Sequence, residues 1–215
     1  MASAGFSRLL VCLVACLAMH ATAATAAEAR EDGEVAAVWK VQQITFEYRG
    51  FTTIYSCRSL HGKLKVILMQ VGAREGMVLS NYYCDEMSGT ARFRIKLEAP
   101  VIATAENVQA RATHSATDEL LAHVNGEQLE TVDDVQKFPA VWRTVSFARD
   151  RRMQLLPSDC ELVNQVRSQI LPRLSVRILK DNVFCSPYSG NISAPRLTVA
   201  ALVADTRDAD KSSRR

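Results

Sequence analysis

One spaced pattern occurs twice in this chain of 215 residues, and it constrains the fold more than any other feature of the sequence. Each copy has a tryptophan, a cysteine 18 residues later, and a second cysteine that opens the pattern Cys-x-x-x-Ser-Gly. The residues are Trp39, Cys57 and Cys84 in the first copy, and Trp142, Cys160 and Cys185 in the second. The offset between the copies is 103 residues for the tryptophans and first cysteines, and 101 for the second cysteines. We interpret this pattern as a diverged internal duplication.

The segments around the cysteines predict the same elements in both copies. Between the two cysteines of each copy, apolar residues recur at the spacing of one helical face. They are Leu60, Leu64, Ile67, Leu68 and Val71 in the first copy, and Val163, Val166, Ile170, Leu171 and Leu174 in the second. Apolar alternation predicts half-buried strands over 44–48 and 92–97, and apolar runs predict buried strands over 76–83 and 176–184. Each copy is therefore predicted to be β-α-β-β.

Local signals mark the ends of the two predicted helices. Ser56 is a candidate N-cap for the first helix, and Ser158 with Glu161 is a candidate capping box for the second. Pro172 is expected to end or kink the second helix, because proline lacks the backbone N–H that a helix interior needs.

We predict an α+β protein in which the two β-α-β-β repeats occupy residues 35–104 and 138–204. The repeats form either one continuous mixed or antiparallel sheet with helices on one face, or two ferredoxin-like lobes. Each repeat contains two of the four cysteines that follow residue 26, so the fold is expected to be stapled by disulfides.

Four cysteines allow three disulfide connectivities. A helix of about 15 residues runs roughly 22 Å, and a strand of about eight residues returns roughly 26 Å. The two cysteines of one repeat therefore meet at the same end of the fold. This geometry favours pairing Cys57 with Cys84 and Cys160 with Cys185.

The N-terminal segment has the pattern of a secretory signal peptide. Arg8 precedes the apolar run over 9–19, and small residues then lead to a cleavage position after Ala26 or Ala27. We therefore expect residues 1–26 to be removed and the protein to be exported, either to the periplasm or out of the cell. No apolar run reaches the length that a bilayer requires, so no transmembrane segment is expected.

A lipid anchor is the alternative fate of this leader. The residues Leu13-Val14-Ala15-Cys16 resemble the lipobox of bacterial lipoproteins, in which the cysteine is acylated. The apolar residues 17–19 disfavour this alternative, because lipoproteins turn polar soon after that cysteine.

The remaining segments are polar. Residues 105–137 are predicted to be a connector between the repeats, with a short helix over 117–123 and the start of another over 131–135. Residues 205–215 have no large apolar side chain and predict a disordered tail. The formal net charge of +3 is too small to indicate nucleic-acid binding.

Two groups of cations are candidate sites for an anion or a partner. The first group is Arg92, Arg94 and Lys96, and the second is Arg149, Arg151 and Arg152. The first lies on one face of a predicted strand, where cations suit an anionic glycan, a lipid headgroup or an acidic protein patch. The second precedes a helix, near its positive end. The plain alternatives are a solvated sheet face or charged edge for the first group, and a solvated loop containing Asp150 for the second.

The sequence has no pattern that is typical of catalysis or of a cofactor. It has no P-loop, no Gly-x-Ser-x-Gly motif and no Gly-x-Gly-x-x-Gly motif. After the leader, the closely spaced cysteine or histidine pairs of a zinc site are also absent. We therefore expect no catalytic residue, no cofactor and no metal ion.

Three segments carry a resemblance to known proteins. They are 51–57 (Phe-Thr-Thr-Ile-Tyr-Ser-Cys), the helix through Lys63 and Leu68 to 71–74, and 159–162 (Asp-Cys-Glu-Leu). In these segments the chain resembles a group of uncharacterised exported proteobacterial proteins, and the similarity covers most of the chain after the leader. The resemblance implies a bacterial envelope origin and implies no particular activity.

These observations favour a non-enzymatic binding or envelope-assembly module, periplasmic or secreted, whose partner is an unknown protein or an anionic envelope ligand. The cationic strand face and the groove between the repeats are the expected ligand sites. One alternative is a secreted hydrolase with its site in that groove, which predicts polar residues of perturbed pKa there. Another is an inhibitor or effector that contacts a second protein through the connector.

Overall fold

The computed structural model describes residues 33–186 and 194–205. The strands are β1 (Val35–Arg49), β2 (Val78–Asp85), β3 (Thr90–Ile102), β4 (Phe138–Ser146), β5 (Val176–Asn182) and β6 (Arg196–Ala204). The helices are α1 (Cys57–Gln70), α2 (Ala105–Arg111), α3 (Ala116–Asn125) and α4 (Cys160–Gln169). We call 35–102 the first half and 138–204 the second half. The predicted signal peptide over 1–26 and the predicted tail from residue 206 onward lie outside the described residues.

All of these strands belong to one antiparallel sheet with the order β2-β3-β1-β4-β6-β5. The predicted α+β class is therefore confirmed, and the sheet is continuous. At its centre, β1 and β4 pair over only three positions, Val35–Ala37 with Phe138–Ala140, whereas β1 and β3 pair over 13. Backbone hydrogen bonds therefore join the two halves over a short distance, and side chains complete the junction.

The main core lies between the sheet and the two longer amphipathic helices, α1 and α4. The predicted apolar face of each helical segment is buried in this core, which confirms the helical periodicity of the sequence. On β1 and β3, alternate residues such as Phe46 and Phe93 fill the same core, and the residues between them are mostly exposed. Because each buried Leu, Ile or Phe contributes about 1.5–3 kcal/mol, this alternation fixes which face of β3 meets solvent.

The N-terminal ends of α1 and α4 differ. Ser56 caps α1 as predicted, since its Oγ accepts the N–H of Ser59 at 3.2 Å. The capping box predicted from Ser158 and Glu161 is wrong, because Asp159 is the N-cap of α4 and makes no side-chain capping bond. The Glu161 carboxylate is instead bound by N–H groups of the first half, which are stronger partners than one local amide.

The connector contains one helix that the sequence predicted and one that it did not. Helix α3 confirms the prediction over 117–123, whereas 131–135 forms a turn and not a second helix. Helix α2 was not predicted, because Val108 is its one buried residue and a single apolar position gives no periodic signal. As expected of Pro172, α4 ends at Gln169 and a short 3-10 turn follows.

Disulfides join Cys57 to Cys84 and Cys160 to Cys185, with Cα–Cα distances of 6.1 and 5.6 Å. The predicted pairing is therefore confirmed. Each bridge ties the first turn of a helix, α1 or α4, to the chain at the end of a strand, β2 or β5. Within the described residues, no helix has the length and apolar character needed to cross a membrane.

Candidate functional site

The candidate site is an exposed surface of the first half that we call the basic face, with Arg92, Arg94 and Lys96 at its centre. Along β3, the residues on either side of each of these cations are buried, and the three cations themselves are exposed. They project from the middle strand of the group β2, β3 and β1, at intervals of about 6–7 Å. The structure therefore brings the first predicted group of cations together on one solvent-facing surface.

Side chains of the two flanking strands complete the basic face. In the order Arg92, Arg94 and Lys96, the opposite residues are Glu47, Thr45 and Gln43 on β1, and Tyr83, Ser80 and Val78 on β2. A register shift in β2 lets two consecutive tyrosines lie beside the two arginines. The guanidinium of Arg92 is 5.7 Å from the centre of the Tyr83 ring, and that of Arg94 is 5.5 Å from the Tyr82 ring. These rings restrict the arginines without neutralising them.

Arg92, the first cation in the row, has an ion-pair partner, and the other two cations have none among the described residues. Arg92 Nε lies 3.2 Å from Glu47 Oε2, and Glu47 also pairs with Arg49 at 2.5 Å. The hydrogen bond from Arg49, and to a smaller extent that from Arg92, lowers the pKa of Glu47 against an opposing effect of desolvation. Arg94 and Lys96 form no ion pair with any residue over 33–186 or 194–205. The centre of the basic face is therefore positively charged.

A groove of about 760 Å³ continues from the basic face at Lys96. One side is formed by the sheet, with Lys40, Val41, Gln43, Val78, Lys96 and Glu98. The other side is formed by the connector, with Asn107, Arg111, Thr113, His114, Asp118 and Glu130. Val41 and Val78 are 44% and 55% exposed, so the groove has apolar surface next to its charges. Of these residues, Lys96 alone belongs to a predicted anion- or partner-binding group.

Three of the acidic side chains in the groove already have partners within the chain. Glu98 pairs with Arg74 at 3.1 Å and with Arg111 at 3.4 Å, and Arg111 also pairs with Glu130 at 3.1 Å. The charges of Glu98 and Glu130 are therefore compensated inside the groove, and Arg111 links the sheet to the connector.

Asp118 has hydrogen-bond partners and keeps its charge. Hydrogen bonds from the hydroxyl and the backbone N–H of Ser115 lower the pKa of Asp118, because they favour its charged form. Among the described residues, Lys40, Lys96 and Glu75 line the groove without forming an ion pair. The groove as a whole is lined by four carboxylates and three cations, so its charge is mixed.

The second predicted group of cations lines neither this groove nor the cavity between the two halves that is described below. Arg149 and Arg151 are exposed, and Arg152 pairs with Asp150 at 3.2 Å. Although burial opposes it, the hydrogen bonds from Arg152 lower the pKa of Asp150. The geometry of this group fits the alternative of a solvated loop.

A second cavity of about 580 Å³ lies between the two halves, and the Glu161 carboxylate forms part of its lining. Three consecutive backbone N–H groups, those of Phe51, Thr52 and Thr53, donate to this carboxylate at 3.0–3.4 Å. A carboxylate that accepts several backbone N–H bonds is held in one position. Glu161 therefore binds the loop before α1.

Next to it, Asp159 is the centre of a buried polar network. The side chain of Asp159 accepts hydrogen bonds from the Tyr55 hydroxyl, from Lys63 Nζ at 2.8 Å and from the N–H of Leu156 at 2.6 Å. Burial, followed by the hydrogen bond to Asp159, raises the pKa of Tyr55, and burial also raises the pKa of Tyr48. Both hydroxyls therefore stay protonated, which suits a structural role and not that of a nucleophile or base.

Two glutamines of α4 complete the junction between the halves. Gln165 exchanges two hydrogen bonds of 2.8 Å with the N–H and C=O of Arg49. Gln169 does the same with Glu47, at 2.9 and 2.8 Å. A side-chain amide has one N–H donor group and one C=O acceptor. Each glutamine therefore makes the pair of hydrogen bonds that a residue of a neighbouring strand would make with β1. The edge of β1 beyond β4 is thereby satisfied and protected.

Both tryptophans have packing partners. Trp39 stacks on Phe138 with ring centres 4.6 Å apart, and the Arg74 guanidinium lies 5.3 Å from its ring. Trp142 has the Arg177 guanidinium 4.0 Å from its ring. Both rings are half-buried on the sheet, which fits a packing role.

No group of three or more His, Cys, Asp or Glu side chains in the described part of the chain is placed to hold a metal ion. Comparisons of the chain with protein-family models, with curated proteins and with solved structures find no match.

Proposed function

We propose that the protein is an exported, non-enzymatic binding module that holds an anionic ligand on the basic face. One observation carries this proposal: Arg94 and Lys96 stand exposed at the centre of a three-stranded surface, and neither forms an ion pair within residues 33–186 and 194–205. Like charges about 6–7 Å apart on one strand repel each other. An anion bound between them removes that repulsion.

The arrangement of the side chains supports binding by hydrogen bonds as well as by charge. Each arginine faces a tyrosine ring, and this contact limits its conformations before a ligand arrives. A guanidinium stacked on a ring keeps its planar N–H edge available for a carboxylate, sulfate or phosphate. Less side-chain freedom is therefore lost on binding.

Export is supported by the leader pattern and by the two disulfides, which persist in oxidising compartments. We also infer that the two halves derive from a duplication. The Arg74–Trp39 and Arg177–Trp142 contacts support this inference, since both members of each pair are 103 residues from their counterparts. The strand order supports it too, because each half places its first strand at the centre, its third strand next to it and its second strand at the edge.

The alternative of a hydrolase between the halves has less support. Its site would need an available acid or base, and Glu161 in that cavity is held by three N–H groups of the loop before α1. The nearby Tyr55 has a raised pKa, which is the wrong direction for a nucleophile. We therefore prefer the binding module.

The experiment compares two double variants that remove the same charge. Arg94→Ala/Lys96→Ala alters the basic face, and Arg149→Ala/Arg151→Ala alters the exposed loop of the second half. Each purified protein is tested for retention on immobilised heparin and for binding to phosphatidylglycerol vesicles over a series of salt concentrations.

We expect the basic-face variant to lose binding to at least one anionic probe at a salt concentration where the loop variant still binds like the unmodified protein. Equal losses in both variants would show that net charge alone drives the binding. Unchanged binding in the basic-face variant would reject the proposed site.

A further inference from the structure

We propose that the basic face and the groove form one continuous track for an extended peptide, whose carboxylate side chains at alternate positions meet Lys96, Arg94 and Arg92. This inference rests on the proposed function, because it names the ligand class for the same surface. It adds the path that the ligand follows along β3, the spacing of its charges and the role of the groove.

The track is continuous because Lys96 belongs to both parts. It is the last cation of the row and also lines the groove, and its cross-strand neighbours Gln43 and Val78 line the groove as well. From Lys96 to Arg92 the row extends about 13 Å along β3. A chain that leaves the groove beside Lys96 therefore passes Arg94 and then Arg92.

The spacing of the cations matches an extended peptide. Side chains on one face of any strand recur at every second residue, about 6–7 Å apart, and the three cations of β3 have this same spacing. Stacked strand layers align within about 30° and lie about 10 Å apart. Long Arg and Lys side chains span much of that separation. A peptide with acidic residues at alternate positions therefore presents one carboxylate to each cation.

The groove has the mixed chemistry that a polypeptide requires. Its exposed Val41 and Val78 offer apolar contact for a ligand side chain, and Asn107 and Thr113 offer donors and acceptors for a ligand backbone. A polyanionic glycan has no apolar side chain to place against the two valines. The connector stands beside the sheet at this position, so a flat lipid surface does not reach the sheet side of the groove. These features favour a peptide over the other two anionic ligands.

The charges of the groove place the acidic residues of the ligand on the basic face. Four carboxylates, those of Glu75, Glu98, Asp118 and Glu130, line the groove against the cations Lys40, Lys96 and Arg111. The uncharged part of the peptide therefore lies in the groove beside the two valines, and its carboxylates meet the cations of β3.

The test uses two synthetic ten-residue peptides of identical composition. One has three glutamates at alternate positions followed by an apolar segment, and the other has the three glutamates in succession. Affinities are measured by fluorescence anisotropy with the full chain at low and at physiological salt. A heparin hexasaccharide and phosphatidylglycerol vesicles are measured in parallel.

We expect the alternating peptide to bind about tenfold more tightly than its isomer. Arg94→Ala and Val78→Ser should each weaken the alternating peptide by several-fold, whereas Arg149→Ala should not. The melting temperature of each variant verifies that it is folded. The comparison of the two isomers needs no variant at all.

Equal affinity for the two isomers would overturn the peptide track. Binding of heparin or vesicles that Arg94→Ala abolishes, without binding of either peptide, would also overturn it and would leave the proposed anion-binding function intact. Binding of none of the four probes would overturn both.

Discussion

The two halves have the same order of strands and helices, and each contains its own disulfide and its own Arg–Trp contact. Their solvent-facing surfaces nevertheless differ. In register, Trp39 faces Pro100 and Trp142 faces Leu202. Counting back from these positions, Thr198 and Ala200 of the second half match Lys96 and Glu98 of the first, and Arg196 matches Arg94. Ala200 and Leu202 are buried, and the exposed cations on this face of the second half are Arg196 and, on the edge strand β5, Arg177 and Lys180. The comparison teaches that the framework is common to both halves, whereas a row of three successive outward cations on the third strand belongs to the first half alone.

The two long helices also differ, but here it is the second half that carries the additional polar side chains. Positions 103 residues before Asp159, Glu161, Gln165 and Gln169 are Ser56, Arg58, Gly62 and Val66. Helix α4 therefore carries the four side chains that hold the loop before α1 and the edge of β1, and α1 carries no counterpart of them. We conclude that the second half supports the first, which presents the basic face.

The largest expected effect tests what the halves have in common. Each disulfide closes a loop of similar length, with sequence separations of 27 and 25 residues. Removing either bridge as a Cys→Ser pair should cost about 3.5 kcal/mol, because the unfolded chain gains a similar freedom in both cases. Urea unfolding of Cys57→Ser/Cys84→Ser and of Cys160→Ser/Cys185→Ser measures this.

The single variants Cys57→Ser and Cys84→Ser should each cost nearly as much as the pair, since either one opens the same bridge. A difference of more than about 2 kcal/mol between the two bridges would mean that the halves are not equivalent frameworks.

The next largest effect compares the contributions of the N-termini of α4 and α1 to stability. Asp159→Ala should destabilise the protein by about 3 kcal/mol, because it leaves Lys63 and the Tyr55 hydroxyl without their buried partner. The matched change Ser56→Ala removes one exposed cap and should cost about 1 kcal/mol. Thermal unfolding of the two variants gives both values, and equal costs would contradict the asymmetry between α4 and α1.

Alkaline pH should destabilise the first half through Tyr48 and Tyr55. Burial raises the pKa of both hydroxyls above the usual value of about 10, so the unfolded chain loses these protons before the folded chain does. The stabilisation of the folded state by the protonated hydroxyls is complete below about pH 10. It is lost as the pH rises above this value, by about 1 kcal/mol per pH unit for each tyrosine. Urea unfolding between about pH 9 and pH 11 measures the loss.

Tyr48→Phe should remove about half of this alkaline loss, whereas Tyr82→Phe on the exposed face should leave it unchanged. The same pH dependence in Tyr48→Phe and in the unmodified protein would show that the loss arises elsewhere in the chain.

The smallest effect concerns the glutamines at the junction. Gln169→Leu removes both side-chain bonds to Glu47 and should cost about 1 kcal/mol. Amide hydrogen exchange should speed up at Glu47, and Lys65→Ala on the exposed side of α1 should not have this effect. Unchanged exchange at Glu47 would mean that the β1 edge is protected without the glutamine.

The features that sequence predicted depend on neighbours along the chain. The faces of α1 and α4 follow from helical periodicity, and the pairing of Cys57 with Cys84 follows from the lengths of one helix and one strand. Arg92, Arg94 and Lys96 were predicted to share a face because strand alternation alone decides it.

The features that sequence missed depend on contacts between distant residues. Glu161 lies 108–110 residues from the N–H groups that bind it, so its local spacing to Ser158 suggested a capping box instead. The groove was missed because α2 has no apolar stripe, and its ion pairs to Glu98 arise only in the folded chain. Asp159 and Glu161 flank Cys160 at the N-terminus of an amphipathic helix. These two charged residues were the available sequence signal for the buried network.

The central claim is that one half of a shared framework carries the binding surface, and NMR chemical-shift mapping with the alternating acidic peptide tests it most directly. We predict that amide signals of the basic face and the groove move, with the largest changes at Gln43, Arg94 and Lys96. The signals of Thr198 and Ala200, at the matching positions of the second half, should stay in place. Changes at those two residues, or at Gln165 in the cavity between the halves, without changes at Arg94 and Lys96, would contradict it.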